Sequence, residues 1–255
     1  MLEPLKRNNI EFSYYYLDEN LQPLIPSSMN SGDFFLYTNY FGTKQDTVRS
    51  LSTKLDNLII DNSMAFYESP IKDVDTFYSA RKFFGVSDGA YLYTDGTLDF
   101  EPEQDYSHYR MLHLLKRMEL GANKAYNDFL ENDLTLYDQP IRKMSAITKL
   151  ILSGINYSKY KTIRERNFLF LHHTLQRFNE LQLDVSDLNG PMFYLFLFDS
   201  EKLRNKLIEN KIYIPMLWKN AMNTSKSNSF EHYLTQNLFA LSIGQRYALE
   251  DMQFI

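Results

Sequence analysis

Short apolar runs that stop abruptly at polar residues constrain the first half of this chain more than any other feature. Phe12–Leu17 (FSYYYL), Asp33–Tyr40 (DFFLYTNY, closed by Gly42), Leu58–Ile60 (ending at Asp61) and Gly89–Tyr93 (GAYLY) are each too short for a helix. Their aromatic and β-branched content reads as strand. Between the second and third, Lys44–Leu55 has helical spacing. Strands apolar on both faces that alternate with helices imply a mostly parallel sheet covered on each side. Ligands of such sheets sit at the carboxyl ends of the strands. Asn39, Asp61 and the loop leading to Lys82 all fall at or after such ends.

The middle of the chain is helical by periodicity. Tyr106–Leu130, Ile141–Leu152 and Tyr157–Asn179 carry apolar residues at three- and four-residue spacing. The charged run Lys159, Lys161, Arg164, Glu165, Arg166 reads as a solvated helix face or a subunit contact. Asn189-Gly190-Pro191 is a strong breaker. After it the pattern becomes strand (Met192–Phe198), helix (Ser200–Glu209), strand (Ile212–Ile214) and helix (Phe230–Leu238). The expected organisation is a large α/β domain over residues 1–140, then linking helices and a smaller C-terminal α+β domain over 141–255.

Composition removes several classes of function. The 255 residues are 44% hydrophobic and 23% charged, which suits a folded soluble protein. A net charge of -5 and the lack of a basic block argue against nucleic-acid binding. With no cysteine there is no disulfide, thiolate metal site or thiol nucleophile. No apolar run approaches the roughly 20 residues of a bilayer span, and MLEPLKRNNIEF lacks the apolar stretch of a signal peptide. A cytoplasmic protein is expected. His108 and His113 do not share a helix face and His172-His173 point apart, so no metal site is expected.

The chemistry concentrates in Leu58–Leu92. Asp61 follows an apolar strand, and Lys82 stands 21 residues later, followed by Phe83-Phe84 and then Gly89-Ala90. An aspartate in such a place often does no more than cap the next element. Combined with a lysine beside aromatic residues, it forms the pair an enzyme needs to hold pyridoxal phosphate. A carboxylate keeps the pyridinium nitrogen protonated, and a partly desolvated amine makes the Schiff base. Ser79-x-x-Lys82 also matches the nucleophile motif of penicillin-binding enzymes, but the Lys-Thr-Gly that motif requires downstream does not occur.

This stretch resembles the DegT-type sugar-nucleotide aminotransferase family, which has the aspartate-aminotransferase-like, pyridoxal-phosphate fold. The likeness extends to Asn39-Tyr40-Phe41-Gly42, to Ser145–Asn167 with Arg164, Arg166 and Asn167, to Pro215-Met216-Leu217-Trp218, and to Ile243–Tyr247. The resemblance implies Lys82 as the catalytic Schiff-base lysine. It implies Asp61 at the ring nitrogen, Ser79 toward the phosphate, and Asn39 and Met64 near the cofactor. It further implies a keto-sugar nucleotide and an amino-acid donor as substrates, a role in bacterial surface-polysaccharide biosynthesis, and a homodimer.

Two departures stand against it. Met64 occupies the place where the family usually has Gln or His, and a thioether cannot donate a hydrogen bond. The family's N-terminal segment with its phosphate-binding cup has no counterpart here, so weak cofactor binding or a partner chain that supplies the segment is expected. The alternative is a non-catalytic or split member that serves as a structural or assembly subunit.

Overall fold

The computed structural model describes residues 2–255. In chain order its elements are α1 (Leu2–Arg7), β1 (Tyr16–Leu17), β2 (Pro23–Leu24), β3 (Phe35–Thr38), α2 (Gln45–Ser52), β4 (Leu58–Asp61), β5 (Asp75–Ser79), β6 (Ala90–Tyr93) and β7 (Glu103–Gln104). There follow α3 (Leu112–Leu120), α4 (Tyr126–Thr135), β8 (Arg142–Lys143), α5 (Ala146–Ser153), α6 (Tyr157–Leu175), β9 (Phe193–Leu197), α7 (Glu201–Glu209), α8 (Ala221–Thr224), α9 (Phe230–Asn237), β10 (Leu238–Ser242) and α10 (Leu249–Phe254). The fold is mixed α/β with a mainly parallel main sheet. Two compact units divide the chain: one takes residues up to Tyr14 and Phe77–Ile155, the other Tyr15–Thr76 and Asn156–Ile255.

The second unit is built on β3 and β4. They pair in parallel with Phe35 opposite Leu58, Tyr37 opposite Ile60 and Thr38 opposite Asp61. Phe35, Tyr37, Leu58 and Ile60 are buried with Val48 and Leu51 of α2, and each such side chain contributes roughly 1.5–3 kcal/mol. In the same unit β9 and β10 pair antiparallel, Phe239 opposite Phe196. Alternation along β9 serves two cores. Tyr194 and Phe196 join Phe168 and Leu171 of α6 and Met252 of α10. Leu195 and Leu197 join Leu17, Leu21, Phe41 and Leu234. Asn167 of α6 donates to the carbonyls of Ile243 (3.3 Å) and Tyr247 (3.0 Å), which fixes the segment after β10.

The first unit takes up the chain at Phe77, within β5, which is followed by a 3₁₀ turn, Ala80–Lys82, and by β6, all four residues of which are exposed. Helices α3 and α4 form a hairpin, β7 and β8 pair in parallel, and α5 starts at Ser145.

Several elements differ from the sequence reading. Of Phe12–Leu17 only Tyr16 and Leu17 are strand. The single helix expected over Tyr106–Leu130 is two, because Gly121 takes a left-handed φ of 85° after α3. β5 was read as loop, yet Thr76 and Tyr78 alternate inward along it. Ile212–Ile214 is not a strand, and the partner of β9 is instead β10, directly after α9.

Candidate functional site

Asp61 closes β4 and is 3% exposed. Its carbonyl accepts the Asn39 N–H at 3.0 Å, so the carboxyl ends of β3 and β4 stay joined. Its Oδ1 accepts the Ser63 N–H at 2.8 Å, an Asx turn that fixes the carboxylate at the strand end. Asn39 is fully buried, and its side chain serves the loop. Nδ2 donates to Gln45 Oε1 (3.0 Å) and Oδ1 accepts the Lys44 N–H (3.2 Å) at the start of α2. The next residues form a 3₁₀ turn, Tyr40–Gly42, in which Phe41 holds φ 62°. Burying Phe41 beside Phe193 and Trp218 offsets the cost of that strained backbone.

Aromatic side chains surround this strand end. Tyr15 lies 6.4 Å from Tyr37 and 4.9 Å from Phe35, ring centre to ring centre, and Tyr40 lies 5.6 Å from Trp218. Burial raises the Tyr15 phenol above its ordinary value, and the negative charge of Asp61 adds to the effect. Burial raises Tyr40 further, with Tyr15 beside it. Met64 is half-buried and packs on the cluster that holds Tyr40, Phe41 and Trp218. The sequence reading placed Tyr14–Tyr16 in the short aromatic strand Phe12–Leu17. Tyr15 is core, but it is also the phenol whose proton Asp61 influences.

Ser79 and Lys82 lie in the first unit, on either side of Ala80 and Arg81. Ser79 ends β5 and is half-buried. The Ala80 N–H donates to the Gly89 carbonyl (3.1 Å), and the N–H groups of Phe83 and Phe84 both donate to the Ala80 carbonyl (3.0 Å). Phe83 and Phe84 are buried, whereas Lys82 is exposed. Gly89 has φ +111°, and a Cβ there would lie 3.0 Å from Thr148 Cγ2, so the backbone requires glycine at this position. A cavity of about 230 Å³ adjoins Ser79, and Arg81, Asp88, Arg110, Arg142 and Lys143 also line it.

Asp88 organises this unit. Its carboxylate accepts the Ser145 N–H (2.9 Å), the Ser145 hydroxyl (3.0 Å) and the Thr148 hydroxyl. Burial alone would raise its pKa, but the hydrogen bonds from Thr148, Ser145 and Ser107 outweigh burial and hold it below the ordinary value. Ser145 is at once the N-cap of α5 and a donor to Asp88. One member of the supposedly solvated run is not solvated: Arg164 is 4% exposed and donates to the carbonyls of Pro191 (3.1 Å) and Met192 (3.2 Å).

Pyridoxal phosphate asks for a carboxylate at its ring nitrogen, an amine at its aldehyde and donors for its phosphate. Asp61 is a buried carboxylate, whereas Lys82 is exposed rather than the partly desolvated amine expected from its aromatic neighbours, and the two fall in different units. Ser79 is the hydroxyl expected at the phosphate. Among the described residues no group of three or more His, Asp or Glu could hold a metal ion, and no helix is long and apolar enough to cross a membrane.

Two solved structures share the fold. AtS13 from Actinomadura melliaura matches with a TM-score of 0.60 at 12% identity, over 98% of this chain and 73% of that one. DesV of S. venezuelae, crystallised in complex with a ketimine intermediate, matches with a TM-score of 0.50 at 13% identity, over 86% of this chain and 62% of that one. The chain therefore has a partial aminotransferase-like fold. No family model and no curated protein matches its sequence.

Proposed function

We propose that this chain is a pyridoxal-phosphate-dependent aminotransferase of the DegT type, acting on a keto-sugar nucleotide in bacterial surface-polysaccharide biosynthesis in the cytoplasm. The observation that carries the reading is Asp61, a buried carboxylate held by the Ser63 N–H at the carboxyl end of a parallel strand. The ketimine in the DesV crystal supports it, since a ketimine is the imine of a ketone and an amine. The cofactor, when bound, supplies an electron sink for the amino group's Cα–H bond.

The residues of this chain do the rest. Asp61 holds the ring nitrogen protonated, with Tyr15 limiting water around the carboxylate. Lys82 would hold the cofactor and would move a proton as general base and acid. Ser79 binds the phosphate, with Asn39 and Met64 bordering the ring. All of these residues fall within 1–140, the range read from the sequence as the large domain. The working unit in this reading is a homodimer or a complex with a partner chain.

A second reading, a non-catalytic or split family member serving in assembly, is favoured by two observations. Both polar ends of the Asn39 side chain are engaged at the start of α2, and Met64 is packed in an apolar cluster. The deciding experiment supplies pyridoxal phosphate and glutamate and measures 2-oxoglutarate. Release by the native chain, lost in a folded Asp61→Asn variant, supports the enzyme. No release from the native chain, alone or as a dimer, supports the assembly subunit.

A further inference from the structure

A second cavity, of about 400 Å³, lies wholly in the second unit and is lined by residues of the β1–β2 turn, the start of α2 and the loop before β9. None of the residues given to the cofactor lines it. Its size is that of a small-molecule pocket, roughly 300–1,000 Å³.

Hydrogen bonds at the inner wall fix what faces the cavity. The Lys44 N–H donates to Asn39 Oδ1 (3.2 Å), so Asn39 Nδ2 is the end that donates to Gln45 Oε1 (3.0 Å). Gln45 is 8% exposed, and its Nε2 is left toward the cavity with no acceptor among the described residues. No side chain caps α2, so the N–H groups of its first turn, at Gln45, Asp46 and Thr47, have no acceptor among the described residues either. Unpaired N–H groups at a helix start favour a carboxylate oxygen.

Charge sets a second demand. Lys44 is half-buried, lines the cavity, and forms no ion pair or side-chain hydrogen bond among the described residues. Burial lowers its pKa, while Asp18 and Asp184 favour the ammonium from a distance. Three carboxylates also line the cavity. Asp46 (2.7 Å) and Asp187 (2.6 Å) both pair with Arg49. Asp184 Oδ1 accepts the N–H and the hydroxyl of Ser186, and its Oδ2 has no donor among the described residues. A plain anion drawn to Lys44 would therefore meet the charge of Asp184. A molecule that carries an ammonium beside its carboxylate satisfies both. The exposed side-chain amides of Asn20, Gln22 and Gln182 suit a polar remainder.

We propose that this cavity is a binding site for a free α-amino acid with a polar side chain. The ligand's carboxylate takes the first-turn N–H groups of α2, Gln45 Nε2 and the Lys44 ammonium, and its own ammonium faces Asp184. The site is separate from the cofactor residues and stands whether or not the chain is an aminotransferase.

Saturation-transfer NMR tests it on the full chain without pyridoxal phosphate, in a mixture of L-serine, L-threonine, L-asparagine and L-glutamine. At least one should receive transfer, and titrating that one gives its Kd. Lys44→Met and Asp184→Asn, at side chains that are not buried, should each bind at least about tenfold more weakly, the loss of one charge-assisted contact. The same acid without its amino group should also bind at least about tenfold more weakly. Asp61→Asn and Lys82→Ala should bind as the native chain does, which separates this site from an amino donor held at the cofactor. The proposal is overturned if no amino acid in the mixture binds, or if Lys44→Met, Asp184→Asn or the deaminated acid leaves the affinity unchanged. Loss of binding in Asp61→Asn or Lys82→Ala overturns it as well.

Discussion

Replacing Asp88 with alanine should destabilise the first unit by about 3 kcal/mol. The side chain joins the segment after the Ala80–Lys82 turn to the start of α5, and three donors end on it. In the alanine variant the Ser145 hydroxyl keeps a partner in Ser107, 2.7 Å away. The Ser145 N–H and the Thr148 hydroxyl do not keep theirs. A buried donor left unmade costs roughly 1–3 kcal/mol, so two of them give about 3 kcal/mol. That is a large share of a native stability of roughly 5–15 kcal/mol.

Urea unfolding followed by circular dichroism measures the change, with a lower midpoint and an unchanged slope expected. The pH dependence adds an independent check. Because the folded pKa of Asp88 is depressed, its contribution is fully present above the unfolded carboxylate value of 3.8 and is lost as pH falls through the folded one. The native chain should lose more stability on acidification than Asp88→Ala. A midpoint shift worth less than about 1 kcal/mol, or identical acid sensitivity in both proteins, refutes the hydrogen-bond account.

Other predictions follow from single sites. Burial pushes the Glu68 carboxyl up to about 7, against donation from Asn189, so the folded chain binds a proton that the unfolded chain has lost. Native stability should fall as pH rises from 4.5 to about 7, and Glu68→Gln should remove that slope in denaturation midpoints. Gly190 has φ +59°, and a Cβ there would lie 2.5 Å from the Tyr67 ring, so Gly190→Ala should cost roughly 2 kcal/mol or more in urea unfolding. Arg164→Lys should be destabilising by about 2 kcal/mol, because a buried ammonium is more strongly hydrated than the guanidinium whose Nη1 donates to both the Pro191 and Met192 carbonyls; unaltered thermal unfolding would contradict this.

The parts of this molecule that were legible in its sequence are those where one local pattern decides the outcome. Phe35–Thr38 and Leu58–Asp61 are short, apolar and terminated by polar residues, and they pair as a parallel strand ladder. Asp61 was legible as a strand-end carboxylate for the same reason. β5 was not, because Asp75–Ser79 is half polar and only Thr76 and Tyr78 turn inward. Residues whose role depends on distant partners were also hidden. Asp88 meets Ser145 and Thr148, 57 and 60 positions away, and nothing local marks that meeting. Arg164 sits in a run of charges that looks solvated, and only the carbonyls at the start of β9 reveal why it is buried. Tyr15 reads as one more aromatic core residue, and its relation to Asp61 emerges only in three dimensions.

The central claim, that this chain holds pyridoxal phosphate through one lysine, is tested most directly by chemical trapping. The chain is mixed with pyridoxal phosphate, reduced with borohydride, digested, and its modified peptide identified by mass spectrometry. The account predicts the label on Lys82, with Asp61→Asn leaving the fold intact and weakening the labelling. Label on another lysine with Lys82 unmodified, or no specific label at all, contradicts it.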